Sequence, residues 1–361
     1  MTMKLTAKPM ALNDDILDAE VRHAIYLQRY GGGVSNRILA LLNRTEADVI
    51  QKMARLEGIT DFKSKRFNTL LDSIRATRKK AYTEAGESLK DEAVDLAQYE
   101  AGFQVALLNK TIPIQWNVVL PSKELLRAAV TSRPFQGRLL KEWVKGMEAR
   151  EFVLLKDQLR IGMVEGETLP QIIRRVRGTK ALNYVDGLFG KSRREVDALV
   201  RTAVNHVHNA ARNEVGIANR DLIKGVEWVS TLDGRTTAIC RARDNNVYPV
   251  DSGPRPPAHI RCRSTVTFVT KSWKELGINL QEAPAGTRAS MNGQVPDNLS
   301  YGGWLRKQPR SFVTETLGSR KAKLFLDGNL KIDKFVDRRG NTLNLDQLKI
   351  KESAAWDKAG L

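Results

Sequence analysis

The sequence predicts an α+β fold that is predominantly α-helical: a long helical N-terminal arm, a small α+β core domain with a few short strands, and an extended C-terminal region. Three observations predict it. Aromatic residues are only 6% of the chain, so the core rests on Leu, Val, Ile and Ala, which suits helix packing. Apolar residues recur at helical spacing through the first half. Beyond Gly225 the period changes to two, with Val226, Trp228 and Ser230 alternating against Glu227, Val229 and Thr231.

In chain order, Asn13 is placed to cap a helix carrying Ile16, Leu17, Val21, Ala24 and Ile25, stopped by Gly31-Gly32-Gly33. Thr45 precedes a helix running to Gly58. Long helices are expected over 83–109 and 135–164, with an extended piece from Ile114 to Leu120 between Pro113 and Pro121. Thr168 ahead of Leu169-Pro170 starts a short helix that Gly178 ends. Ser192 and Glu195 read as a capping box opening a strong helix. Asp244-Asn245-Asn246 marks a turn between extended pieces 239–243 and 247–250, and 265–269 reads as a further strand. The tail is rich in Pro and Gly to Gly303, including Pro284, then helical around 311–325, with turns at Asp327-Gly328 and Arg338-Gly340 and a last short element over 343–350. These elements divide the chain into a helical arm (1–150), an α+β domain (151–270) and a basic extension with short helices (271–361).

Composition narrows the function. Hydrophobic residues at 42% and charged residues at 28% fit a globular rather than a disordered chain. Two cysteines do not make a disulfide-stapled secreted fold. No apolar run approaches the ~18 residues of a membrane span, and Asn13-Asp14-Asp15 follows the N-terminus without an apolar signal core. A soluble protein made in the cytoplasm is expected, with no membrane partner. The net charge of +18 is shared evenly, since 1–150, 151–270 and 271–361 each carry +6. An even basic surface suits salt-dependent contact with phosphate rather than base reading.

One constellation carries chemistry. Cys240, His259 and Cys262 bring both cysteines and one of four histidines into a short window. Thiolate and imidazole are the donors zinc prefers, and structural zinc takes four ligands. Asp233 is the candidate fourth ligand, with Asp244 and His206 as alternatives. The competing reading is a pair of small buried thiols beside a hydrogen-bonded histidine. Around them lie Arg235, Arg241, Arg243, Arg255, Arg261 and Arg263, against only Asp244 and Asp251. These arginines suit a DNA backbone, an acidic protein surface or internal pairing. Nothing marks a base or an oxyanion site for a nucleophilic cysteine, and no Gly-rich phosphate loop is present. No catalytic residue is assigned, and a non-enzymatic protein is expected.

The segment from Trp228 to Thr265 resembles the Mu F-like minor head proteins of tailed bacteriophages, also called phage head morphogenesis proteins. The resemblance rests on Leu232-Asp233-Gly234-Arg235-Thr236, Cys240 and Pro256-Pro257-Ala258-His259-Ile260-Arg261-Cys262-Arg263. Asn205, Asn209 and Arg212 extend it upstream, and Tyr301-Gly302-Gly303-Trp304-Leu305 and Phe335-Val336-Asp337-Arg338 downstream. It implies a structural virion protein at the capsid interior or portal vertex. Its implied partners are the phage portal protein, the major capsid or scaffold protein, and phage double-stranded DNA contacted non-specifically. The Cys/His set resembles a suspected metal site of the family, for which zinc is the expected ion. A metal-dependent phage nuclease and a DNA-binding regulator are the competing functions.

Overall fold

The computed structural model describes residues 12–59, 61–112, 116–279 and 286–361. It is predominantly helical with a few short antiparallel strands. Two compact units interleave along the chain, where the sequence suggests three consecutive blocks. The first comprises Met1–Tyr26, Glu100–Pro121 and Asn209–Leu361, and the second Leu27–Tyr99 and Ser122–His208.

The second unit is helical. It takes parts of α1 (Leu12–Asn43), α3 (Lys65–Thr111) and α7 (Leu188–Ala218), with α2 (Glu46–Met53), α4 (Lys123–Ser132), α5 (Leu140–Val164) and α6 (Leu169–Arg177). Val49, Phe67, Ile74, Leu159, Val176 and Phe189 are among its core residues. Gly162 has no Cβ to strike Ile172, which a methyl there would meet at 2.6 Å, so α5 and α6 pack closely. Arg78 is buried, but its guanidinium forks onto Glu151 at 2.7 and 3.1 Å and also bonds the Leu42 carbonyl. That set satisfies the charges that burial would otherwise penalise.

Helix α1 does not stop at Gly31-Gly32-Gly33, nor does it begin after Asn13. Three helical glycines cost about 1 kcal/mol each relative to alanine. Here Gly31 faces Val204 and Gly32 faces the Arg201 guanidinium of α7, so tertiary contact with α7 carries the helix through the glycines. Ser192 lies inside α7 and is buried rather than capping it. Helix α4, capped by the Ser122 hydroxyl, was not foreseen. Residues 116–120 have no regular structure, and Ile114 and Gln115 of the expected extended piece, like Pro113 and Pro284, lie outside the described residues.

In the first unit, strands β1 (Ile223–Val229), β2 (Val247–Pro249) and β3 (Thr265–Thr270) form an antiparallel sheet in the order β2-β1-β3. Trp228 pairs with Val266, and Val226 with Phe268 and Tyr248. Gly216 of α7 packs on this sheet, because a Cβ there would sit 2.7 Å from Val250 and 2.8 Å from Phe268. The expected turn at 244–246 forms, with Asn245 in the left-handed region (φ 62°). Asn245 and Asn246 exchange backbone hydrogen bonds with Trp228.

Residues 239–243, expected to be extended, instead lie in helix α8 (Ala238–Arg243). Helix α8 is one turn and a half, too short for periodicity to separate it from a strand. A hairpin of β4 (Thr287–Ser290) and β5 (Gly293–Pro296) follows. The expected helix near 311–325 is two, α10 (Arg310–Leu317) and α11 (Ser319–Leu326), broken at Gly318 with φ 80°. They pack with α9 (Tyr301–Arg306), α12 (Leu345–Lys351) and α13 (Ser353–Lys358) around Leu232, Tyr301, Trp304, Phe325 and Trp356.

Candidate metal centre

The sheet and α8 bring three donors together. Cys240 lies in α8, while His259 and Cys262 lie in the loop between β2 and β3. That loop tightens into a turn in which the Cys262 amide donates to the His259 carbonyl at 3.1 Å, with Arg261 in the left-handed region. Trp228 of β1 packs against both cysteines from below, and Tyr248 and Ala258 flank them. The Trp228 indole donates to the Ser230 hydroxyl, which in turn donates to the Cys240 carbonyl at 2.8 Å. The backbone carrying Cys240 is thus fixed from β1.

The donor atoms converge. Cys240 Sγ is 3.7 Å from Cys262 Sγ and 3.4 Å from His259 Nε2, and all three donors lie within 4.8 Å of one another. His259 Nδ1 lies 2.8 Å from the Ile260 carbonyl oxygen. A carbonyl there selects the tautomer with the proton on Nδ1, which leaves Nε2 as a lone-pair donor. Hydrogen bonding from Cys240, and then from His259, holds the Cys262 thiol below its ordinary range. The same contact with Cys262, reinforced by burial, pushes the Cys240 thiol up. The His259 imidazole is raised by its bond to Cys262 against the opposing effect of burial. A cavity of about 30 Å3 adjoins the cluster, lined by Cys240, His259, Thr237, Ser264 and neighbouring arginines. It has room for one small ion or water.

Asp233, expected as the fourth ligand, does not join this group. Its carboxylate is taken by the Arg263 guanidinium at 2.7 and 2.8 Å and by the amides of Arg235 and Thr236. Burial works to raise the Asp233 carboxyl, but Arg263 and the further donors outweigh it and hold it below the usual range. Asp244 is equally committed, accepting from the Ser230 and Tyr301 amides and from Arg288. His206 stacks on Phe135 with centroids 5.0 Å apart, and burial lowers its pKa to about 4.

Most of the arginine set is spent on the fold. Arg241 donates to the carbonyls of Thr316 and Gly234 and lies over the Tyr301 ring. Arg255 donates to four backbone carbonyls, that of Pro249 at the end of β2 and three in its own loop, and to Asn213. Arg243 stacks over Trp228, and Arg263 holds Asp233. Arg235 and Arg261 are the exposed members, and both line the cavity mouth. Sequence reasoning missed Arg288, which is 1% exposed and ties β4 to Asp244 and to the Ser230 carbonyl. Its surroundings, rich in Gly and Pro, carry no periodic signal of burial.

Residues 154–267 match the family model described as phage Mu protein F like protein. Neither a curated protein nor a solved structure gives a significant match. The matched segment contains all three donors, Asp233 and the whole of β1 and β2. Over residues 154–267, about a third of its length, the chain is thus similar to phage Mu protein F like proteins.

Proposed function

We propose that the chain is a structural minor head protein of a tailed bacteriophage, acting in head morphogenesis with the portal and meeting packaged DNA without sequence preference. The observation that carries this reading is the family match over 154–267, which includes the whole Cys/His cluster. The charge of +18 supports the DNA contact, because a component facing close-packed phosphate gains from a basic surface. Among the described residues no helix is long and apolar enough to cross a membrane.

Cys240, His259 and Cys262 form in this reading a structural zinc clasp. With Zn–S near 2.3 Å and Zn–N near 2.05 Å at a tetrahedral angle, two sulfurs stand about 3.8 Å apart and a sulfur and a nitrogen about 3.6 Å. The separations of 3.7 and 3.4 Å fit those edges. Zinc bound here supplies a cross-link between α8 and the β2–β3 loop, stabilising the turn that carries His259. These three donors are one short of the four that a structural zinc takes, so a fourth would have to come from outside this cluster.

The test is deletion of the gene from its phage, followed by microscopy of the lysate. Defective or empty heads are expected. Normal infectious particles lacking the chain would overturn the proposal. Elemental analysis separately tests the clasp.

A further inference from the structure

A half-open groove of about 420 Å3 lies in the second unit between α3 and α5. Its floor is apolar, formed by Tyr82, Gly86, Leu140 and Val144. Gly86 shapes it, since a methyl there would reach within 3.0 Å of Val144. The rim is basic. Its two carboxylates are already neutralised, Glu148 by Arg75 at 3.4 Å and Glu87 by Lys90. Lys79, Lys141 and Lys145 also line the groove, and none forms an ion pair among the described residues.

We propose that this groove docks an acidic amphipathic segment of a protein partner. Its apolar side chains would rest on Tyr82, Leu140 and Val144, and its carboxylates would meet Lys79, Lys141 and Lys145. Two features favour this occupant. An apolar floor whose Tyr82 hydroxyl is already given to Glu151 offers phosphate oxygens no free donor, whereas it shields apolar side chains from water. The surplus of unpaired lysines complements carboxylates and would steer their approach. The volume falls within the range of ligand pockets and accepts a few side chains rather than a duplex. The inference goes beyond the phage reading, because every residue in it lies outside the family match.

The full chain is titrated against a fluorescein-labelled synthetic helix of leucine and glutamate, read by fluorescence anisotropy. Saturable binding is expected, weakened about tenfold or more by the combined Lys79→Glu, Lys141→Glu and Lys145→Glu substitutions. Thr83→Trp, which fills the groove from an exposed position, should also weaken binding while leaving the melting temperature unchanged. Thr83→Trp decides the matter if the charge variant is unstable. Three results overturn the proposal: no binding of the peptide, equal binding to Thr83→Trp, or equal binding of a peptide in which serine replaces leucine. A duplex oligonucleotide that binds these lysines when the peptide does not would also overturn it, making the rim a DNA surface.

Discussion

Arg263 grips Asp233 with both guanidinium arms, Nη1 2.7 Å from Oδ2 and Nη2 2.8 Å from Oδ1. The pair joins the residue after Cys262 to the loop that leads into α8, so it braces the thiol cluster from outside instead of supplying a donor to it. Asp233 also accepts the amides of Arg235 and Thr236, which shapes the approach to Cys240.

Asp233→Ala should therefore lower stability without removing metal. The pair is mostly buried, so the loss is expected at about 1–3 kcal/mol, much of it from leaving Arg263 without its partner. Chemical denaturation measures the loss, and elemental analysis of the same sample should still find zinc. Loss of zinc in a folded Asp233→Ala protein would make the carboxylate a ligand after all.

Zinc in the clasp should be recovered at about one ion per chain, held by thiolate and imidazole. Cys262→Ser should abolish it and lower the melting temperature, and a strong chelator should have the same effect on the unaltered protein. The two losses should not add, because each removes the same cross-link. A chelator that leaves the melting curve unmoved counts against the clasp.

A buried charge set gives a pH prediction. Glu20 and Glu100 both contact Arg212, and His23 Nε2 lies 2.6 Å from Glu100. Burial, opposed by Arg212 and reinforced by Glu100, pushes the Glu20 carboxyl up to about 8. The folded protein then keeps the Glu20 proton over a range in which the unfolded chain, near 4.5, has lost it. Its contribution to stability is full below about 4.5 and declines as pH rises toward 8. Glu20→Gln should gain stability relative to the parent across that window, with little difference at its acid end. Denaturation at several pH values checks this, and a gap that narrows with rising pH contradicts it.

Two glycine substitutions should move in opposite directions. Gly216→Ala puts a methyl 2.7 Å from Val250 and 2.8 Å from Phe268, and overpacking of this kind costs about 1–3 kcal/mol. Gly102 in α3 has open space around it, so Gly102→Ala should stabilise by up to about 1 kcal/mol through helix propensity. Thermal melts of the two variants test the account of how α7 meets the sheet.

Local signals were legible in the sequence wherever a neighbour in the chain supplied the reason for them. Thr168, Pro170 and Gly178 bound α6 because capping acts over a single turn. β1 was readable from the change of period after Gly225, and β3 from its short run of Thr and Val, although both strands are buried along nearly their whole length. The cluster was visible for a similar reason, since His259 and Cys262 share a turn. Distant partners were not visible. Nothing near Gly32 announces Arg201, which α7 brings against it, and nothing near Asp233 announces Arg263, so one became a helix stop and the other a metal ligand. The 238–243 segment has too few residues for its period to show, and its buried contact, Cys240 on Trp228, is made with a distant part of the chain.

Quantitative mass spectrometry of purified heads from the phage that encodes this chain tests the central claim most directly. A head morphogenesis protein should co-purify with intact heads at a low, fixed ratio to the major shell protein and persist through density-gradient purification. Heads that contain none of it, while the chain stays in the soluble host lysate, would contradict the account.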